Sequence, residues 1–151
     1  DAMGIDPATA VMTSNFIGDA VEMCRELGFR GALLIGHIGK LVKLAGGMWN
    51  THSRYGDCRM DIMTACAAAE GIDPATAGVL LECATCDDAL RILKEQGLYD
   101  AVLRRLAGRI GAMMAYKGGE METGAILFSK EYGYLCETKG AAELLRRIRE
   151  D

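Results

Sequence analysis

The sequence predicts an α/β fold, in the form of a Rossmann-like three-layer αβα domain with a mostly parallel sheet and a C-terminal β-hairpin. Three observations predict it. A β-favouring segment at 11–14 and a continuous apolar run at 32–36 are separated by an amphipathic helical stripe. A second helical stripe follows the apolar run. Two more β-favouring segments lie close together near the end of the chain.

The first half of the chain predicts the order strand, helix, strand, helix. Residues 11–14, VMTS, form the predicted first strand, and Asn15 is the candidate N-cap of a helix over 16–27. Gly28 ends that helix. The run ALLIG, residues 32–36, has no polar side chain and predicts a strand that is covered on both faces. Strands joined by a helix are expected to pair in parallel.

The remaining elements follow from helical periodicity and from alternation. A helix is predicted over 38–45, with Lys40 and Lys43 together on its polar face. The segments AILFS (125–129) and YLCE (134–137) predict the hairpin, and a basic helix closes the chain. Four further helices are predicted at 57–70, 74–82, 87–96 and 99–116.

Length, composition and charge point to one α/β domain over residues 1–151. Half of the residues are hydrophobic and the formal net charge is -4, so we expect no nucleic-acid partner. No signal peptide and no run of eighteen apolar residues is present, so we expect a cytoplasmic protein without a membrane span. A homo-oligomer is compatible with these features. The chain begins without Met, and we expect a fragment or a trimmed domain of a longer protein.

The six cysteines are expected to be reduced thiols that pack in the interior. His37, His52, Cys58 and the pair Cys83-x-x-Cys86 could in principle bind a metal, but their spacing fits no zinc pattern, and we predict no metal site. A redox role would require Cys83 or Cys86 to be exposed with a lowered pKa.

The segment GHIGKLVKLAGGMWNTHS, residues 36–53, holds both histidines and two lysines and contains no acidic residue. In open parallel sheets, ligands bind beyond the carboxyl ends of the strands, which is where Ser14, Asn15 and the residues 36–40 are predicted to lie. Glycines on both sides of His37 allow a ligand to approach the backbone, and the lysines favour an anion. The spacing GHIGKL does not match a nucleotide-binding phosphate loop, which requires Ser or Thr after the lysine.

A second polar group, NTHS at 50–53, follows the predicted helix at a distance of roughly 15 Å from the first. Taken alone, it is read more simply as a helix cap followed by a turn. Between residues 36 and 59 there are four cations and one acidic residue, Asp57, so this part of an acidic chain carries a local charge of +3. That balance predicts a site for a polyanionic small molecule.

Four motifs resemble one family. They are TSNFIG (13–18), LLIGHIGKLVKLAGG (33–47), NTHSR (50–54) and D-x-R-M (57–60). Together they are similar to the cobalt-precorrin-5B C1-methyltransferases, the CbiD family of anaerobic cobalamin biosynthesis. The resemblance is close over residues 4–70 and looser beyond. Members of that family are longer and have an additional N-terminal domain, so the resemblance implies that this chain is the C-terminal part of a longer enzyme whose N-terminal domain is absent.

The resemblance implies transfer of a methyl group from S-adenosyl-L-methionine to C1 of cobalt-precorrin-5B, which gives cobalt-precorrin-6A. The alternative is a non-catalytic module that binds the tetrapyrrole or the cofactor and needs the N-terminal domain for activity. No standard glycine-rich motif for the methyl donor is present. His37 and His52 are the candidate catalytic residues. The candidate substrate- or cofactor-binding residues are Ser14, Asn15, Gly36, Gly39, Lys40, Lys43, Asn50, Thr51, Ser53, Arg54 and Asp57.

Overall fold

The computed structural model describes residues 4–6, 8 and 10–150, and these contain seven α-helices and three β-strands. The helices are α1 (Ile17–Glu26), α2 (Ile38–Leu41), α3 (Arg59–Ala69), α4 (Pro74–Leu81), α5 (Cys86–Glu95), α6 (Tyr99–Gly118) and α7 (Ala141–Glu150). The strands are β1 (Gly31–His37), β2 (Glu122–Ser129) and β3 (Gly133–Glu137), and 3-10 helices span Val42–Gly46 and Ser53–Tyr55.

The sheet is mixed and has three strands in the order β1-β2-β3. β1 pairs in parallel with β2, with Gly31 opposite Glu122, and β3 pairs antiparallel with β2, with Ile126 opposite Glu137. The predicted α/β class and the C-terminal hairpin are confirmed. The predicted mostly parallel sheet is wrong, because only one of the two strand pairs is parallel. The Rossmann-like three-layer arrangement stays a prediction.

The predicted first strand at 11–14 is also wrong. Val11 and Met12 are 85% and 91% exposed, so nothing pairs with them or covers them within the described residues. Ser14 has a φ of 51°, in the left-handed region, and the Phe16 N–H donates to Thr13 O at 2.9 Å. The chain therefore turns here. A four-residue β-favouring segment has little intrinsic preference of its own and becomes a strand only where a partner is in place.

The helices lie close to their predicted positions, with two corrections. Phe16, and not Asn15, precedes α1, and it makes no side-chain capping bond. The predicted helix at 38–45 divides into α2 and a 3-10 helix, and the tighter winding changes which residues share a face. As a result Lys40 is exposed while Lys43 is buried, so the prediction that they lie together on a polar face is wrong.

Helices cover the central strand β2 on both faces. Ala125 and Leu127 belong to the main hydrophobic core, which includes most of the buried side chains of α6. Gly124 faces the other way, and a Cβ at this position would lie 2.9 Å from Ala141 Cα in α7. The strand β1 lies at the edge of the sheet, where Ile35 remains 36% exposed. Residues 32–36, in β1, are the segment predicted to form a strand covered on both faces. The strand that is covered on both faces is instead β2.

None of the helices in the described part of the chain is both long and apolar enough to span a membrane.

Candidate functional site

Two of the motif segments form one unit, although they are far apart in the sequence. Phe16 and Asn50 form an antiparallel β-bridge. The Thr51 N–H donates to Asn15 O at 3.1 Å, and the Thr51 hydroxyl donates to Asn15 Oδ1 at 3.2 Å. The segment 49–57, which we call the polar loop, is thus held against the residues that precede α1.

Gly18 and Trp49 make the closest contact in this unit. The Gly18 N–H donates to Trp49 O at 3.1 Å, and a Cβ at Gly18 would lie 2.7 Å from Trp49 Cβ. The Lys117 amine stands 5.4 Å from the centre of the Trp49 ring and also pairs with Glu22 of α1. Sequence reasoning missed these residues. The single tryptophan of the chain, beside the Asn-Thr-His-Ser group, is the signal that could have indicated them.

Lys43 holds the polar loop from the inside. Its side chain is only 4% exposed, and Nζ donates to Thr51 O at 3.1 Å and to Gly56 O at 3.2 Å. These two carbonyls lie on either side of the 3-10 helix at Ser53–Tyr55. The amine that the sequence assigns to a bound anion is therefore used by carbonyl groups of the protein.

Both histidines cap a short helix in the same way. His37 Nδ1 accepts the Gly39 N–H at 3.0 Å, and His52 Nδ1 accepts the Arg54 N–H at 3.1 Å. A neutral imidazole that accepts at Nδ1 carries its proton on Nε2. In each ring, Nε2–H is therefore the group that remains to donate to a ligand. His52 is exposed, whereas His37 is half-buried and packs edge-on against Phe128 of β2, with ring centres 5.8 Å apart.

The glycines beside His37 have packing reasons. A Cβ at Gly36 would lie 3.0 Å from Leu41 Cγ, and a Cβ at Gly39 would lie 3.1 Å from His37 Nδ1. They allow α2 to fold back on the end of β1 and allow the imidazole to reach a backbone N–H. Lys40, one residue further along, is exposed and is the cation of this segment that a ligand could reach.

Arg54 and Asp57 have different surroundings within the polar loop. Arg54 is exposed, and its guanidinium stacks 4.8 Å from the centre of the Tyr55 ring. Asp57 makes a two-pronged ion pair with Arg59, with both N–O distances 2.7 Å. The hydrogen-bonded Arg59 guanidinium lowers the pKa of Asp57 to about 2. This carboxylate is thus already paired, at the start of α3.

This ion pair predicts a pH-dependent stability. The pKa of Asp57 is lowered from 3.8 to about 2, so its contribution is fully present above pH 3.8 and is lost as the pH falls through 2. At neutral pH we expect Asp57→Asn to lower the free energy of unfolding by about 0.5–1 kcal/mol, a small effect because the pair is partly exposed. Urea unfolding at pH 7, 4 and 2.5 measures it, and a difference that stays constant across this range would contradict the prediction.

The predicted site residues form two groups. The first group lies around the polar loop and consists of Asn15, Lys43, Asn50, Thr51 and the exposed turn of His52, Ser53 and Arg54. The Asn50 side chain joins the turn to the rest of the group, because it accepts the His52 N–H at 3.1 Å. His37, Gly36, Gly39 and Lys40 form the second group, at the carboxyl end of β1. Within the described residues no hydrogen bond joins the groups, and the buried residues 41–45 connect them. Ser14 lies in the exposed turn before the first group.

Two shallow grooves lie along α6, away from both groups. The larger, of about 530 Å³, lies between α6 and β3, and the other, of about 470 Å³, lies between α6 and Glu70. Neither groove is lined by any of the predicted site residues.

The cysteines do not have the features of a redox or metal site. Cys86 is buried, and burial raises its pKa to about 11, while burial also raises the pKa of Cys83. A thiol is reactive as its thiolate, so these shifts oppose a redox role. Across the described residues, no cluster of three or more His, Cys, Asp or Glu side chains could hold a metal ion.

The fold and the site define an α/β domain that presents a preorganised polar loop and a capped histidine, with exposed cations in both groups. The chain belongs to the family described as CbiD, C-terminal domain, whose family model matches residues 50–139. This range begins at the polar loop and continues through the helices to the end of the hairpin, where the resemblance read from the sequence is looser.

Full-length relatives are similar to nearly the whole chain. A cobalt-precorrin-5B C(1)-methyltransferase of Klebsiella pneumoniae is 34% identical over 98% of this chain, and one of Tolumonas auensis is 30% identical over 99%. A protein of the same name from Thermoplasma acidophilum is 41% identical over 70% of the chain and 29% of its own length. The chain spans about 40% of the length of the first two. No solved structure matches the chain significantly.

Proposed function

We propose that this chain is the C-terminal part of a cobalt-precorrin-5B C1-methyltransferase of anaerobic cobalamin biosynthesis. The whole enzyme transfers a methyl group from S-adenosyl-L-methionine to C1 of cobalt-precorrin-5B and produces cobalt-precorrin-6A. The observation that carries the proposal is the family membership of the chain, together with relatives that are named for this reaction and align with 98–99% of it. Residues 1–151 are one domain in this proposal, and the rest of the enzyme precedes it.

In this proposal the two groups of site residues bind the tetrapyrrole. The substrate is a macrocycle with many carboxylates, and Lys40 and Arg54 offer exposed cations to them. His37 and His52 offer Nε2–H groups. Methyl transfer requires the attacking carbon to be aligned with the methyl group, so a fixed orientation of the macrocycle supports the reaction. The bonds from Lys43 and Asn15 hold the polar loop in place before the substrate arrives.

The same residues fit the methyl donor less well. When it is bound, S-adenosyl-L-methionine supplies the electrophilic methyl group on a cationic sulfonium. The exposed groups of the site are cations and neutral donors, and the carboxylate of Asp57 is paired with Arg59. We therefore assign the tetrapyrrole to this domain, and the donor's principal contacts to the part of the enzyme that precedes it.

The geometry at His37 favours a positioning role over that of a general base. A base needs a free lone pair, and the lone pair of Nδ1 is engaged by the Gly39 N–H. In the neutral ring, Nε2 already carries a proton. His37 is thus suited to donate a hydrogen bond to a substrate carboxylate and to fix the orientation of the ring.

A pair of variants of His37 in the full-length enzyme tests this role. Asn can replace the capping acceptor Nδ1 with its Oδ1 but has no group at the position of Nε2, whereas Ala loses both. We expect His37→Asn to keep the melting temperature and to lower kcat/KM for C1 methylation at least tenfold. His37→Ala is expected to lower both the activity and the melting temperature. Wild-type turnover by a folded His37→Asn enzyme would remove His37 from the site.

The alternative is a module that binds the tetrapyrrole but does not transfer the methyl group. Assays of binding and of methyl transfer with this chain alone distinguish it from a catalytic domain. Binding of cobalt-precorrin-5B without methyl transfer would support the alternative for the isolated domain. In either case we expect Lys40→Glu and Arg54→Glu to weaken the binding of cobalt-precorrin-5B, and to do so more at low salt than at high salt. Lys139→Glu, an exposed charge reversal beyond β3, is the matched control. Equal effects of all three variants would contradict the electrostatic assignment.

A further inference from the structure

The strand β1 has an open backbone edge. β1 pairs with β2 on one side only, and the Glu122 N–H donates to Arg30 O at 3.1 Å. In a parallel ladder this bond fixes the alternation, so that the N–H and C=O groups of residues 32, 34 and 36 face β2. The N–H and C=O groups of Leu33 and Ile35 then point away from the sheet. Between residues 10 and 150, no other backbone group bonds to them.

This edge lacks the charged residues, the proline and the bulges that often protect one. The strand GALLIGH contains no lysine, arginine, acidic residue or proline, and Ile35 is 36% exposed. Native proteins commonly block exposed edges with such residues, with bulges, or with a covering element, because an unpaired apolar edge invites another strand. An uncharged seven-residue edge is typical of a strand that is paired on both sides in the complete protein.

We propose that the open edge of β1 receives a β-strand from the part of the enzyme that precedes this domain. The family model is described as a C-terminal domain, and the chain spans about 40% of its full-length relatives, so these relatives have ample preceding sequence to supply a strand. A strand on the same polypeptide has an effective concentration of the order of millimolar, which favours it over a separate molecule. Val11 and Met12, on the N-terminal side of the domain, are 85% and 91% exposed and give the preceding part an apolar surface to cover.

The added strand places the preceding part of the enzyme beside the site. β1 ends at His37, and the strand that pairs with β1 runs along the same residues. The interface then borders the group formed by His37 and Lys40, where the tetrapyrrole is proposed to bind. This inference rests on the proposed domain organisation and does not depend on the methyl transfer.

Amide hydrogen exchange, read residue by residue, tests the inference in this chain alone and in the full-length enzyme. We expect the Leu33 and Ile35 amides to exchange quickly in this chain and at least tenfold more slowly in the full-length enzyme. The amides of Leu34 and Gly36 face β2 and are the internal control, with slow exchange in both proteins. Equally fast exchange of Leu33 and Ile35 in both proteins would overturn the inference.

Variants at Ile35 and a concentration series distinguish a strand of the same polypeptide from a strand of a second copy at the open edge of β1. Ile35→Lys is expected to restore fast exchange at Leu33 in the full-length enzyme, whereas Ile35→Val is not, and circular dichroism of this chain checks that both variants fold. Protection that appears in this chain alone, rises with its concentration and accompanies a dimer in sedimentation would identify a second copy and overturn the intramolecular assignment. An active full-length enzyme with an unprotected edge would refute this inference and leave the proposed function intact.

Discussion

Replacement of Lys43 by Met is expected to lower the free energy of unfolding by about 2–4 kcal/mol. Met fills nearly the same volume and keeps the buried methylene contacts, but it cannot donate to Thr51 O and Gly56 O. Thr51 is itself only 4% exposed, so its carbonyl would be left buried without a donor. The loss of the buried ammonium offsets part of this cost, because that group is expensive to remove from water.

Lys40→Met is the matched control, since Lys40 lies three residues earlier and is exposed. We expect it to change the free energy of unfolding by less than about 0.5 kcal/mol. Urea unfolding of both variants measures the difference, and the Thr51 and Gly56 signals in NMR spectra report on the polar loop. Equal stabilities for the two variants would show that Lys43 does not hold the loop.

Lys40 and Lys43 have different surroundings, although their spacing in the sequence suggests one shared role. Positions three apart on a continuous α-helix are neighbours on its surface, which is why Lys40 and Lys43 are predicted to act together. The change to a 3-10 helix at Val42 turns Lys43 inward, where it donates to two carbonyls of the polar loop, and leaves Lys40 exposed. We therefore expect Lys40→Met to affect substrate binding but not stability, and Lys43→Met to affect both.

The sequence predicts the elements well where the signal is local. The amphipathic stripes of helices such as α1 and α5 depend on neighbours within one or two turns. The hairpin of β2 and β3 is local for the same reason. The error at 11–14 is of another kind, since strand formation depends on a partner that the local sequence does not specify. The parallel partner of β1 is β2, which begins 85 residues after the end of β1.

The candidate site was only partly accessible from the sequence. The motifs place polar residues near each other along the chain, but the bonds between Asn15 and Thr51 join residues 36 positions apart. The paired state of Asp57 and the Nδ1 caps of the two histidines depend on side-chain geometry that spacing does not determine. The roles assigned to these residues in substrate binding stay predictions.

Replacement of Gly18 by Ala is expected to lower the free energy of unfolding by about 1–3 kcal/mol, although Ala is the better helix former. The added Cβ would lie 2.7 Å from Trp49 Cβ, an atom close to the backbone that no rotamer change can move away. Gly78→Ala in α4 is the matched control. Nothing lies within 4 Å of a Cβ at that position, so Ala is expected to raise the free energy of unfolding by about 0.5–1 kcal/mol.

The clash at Gly18 is expected to alter the conformation of the polar loop, because Trp49 is the first residue of that loop. Relief of the clash requires Trp49 to move away from α1, which stretches the bond from the Gly18 N–H to Trp49 O and the bridge between Phe16 and Asn50. We therefore expect faster amide exchange at Thr51 in Gly18→Ala and, in the full-length enzyme, a higher KM for the proposed tetrapyrrole substrate. A Gly18→Ala protein that is as stable as Gly78→Ala and keeps the Thr51 amide protected would show that the polar loop does not depend on this contact.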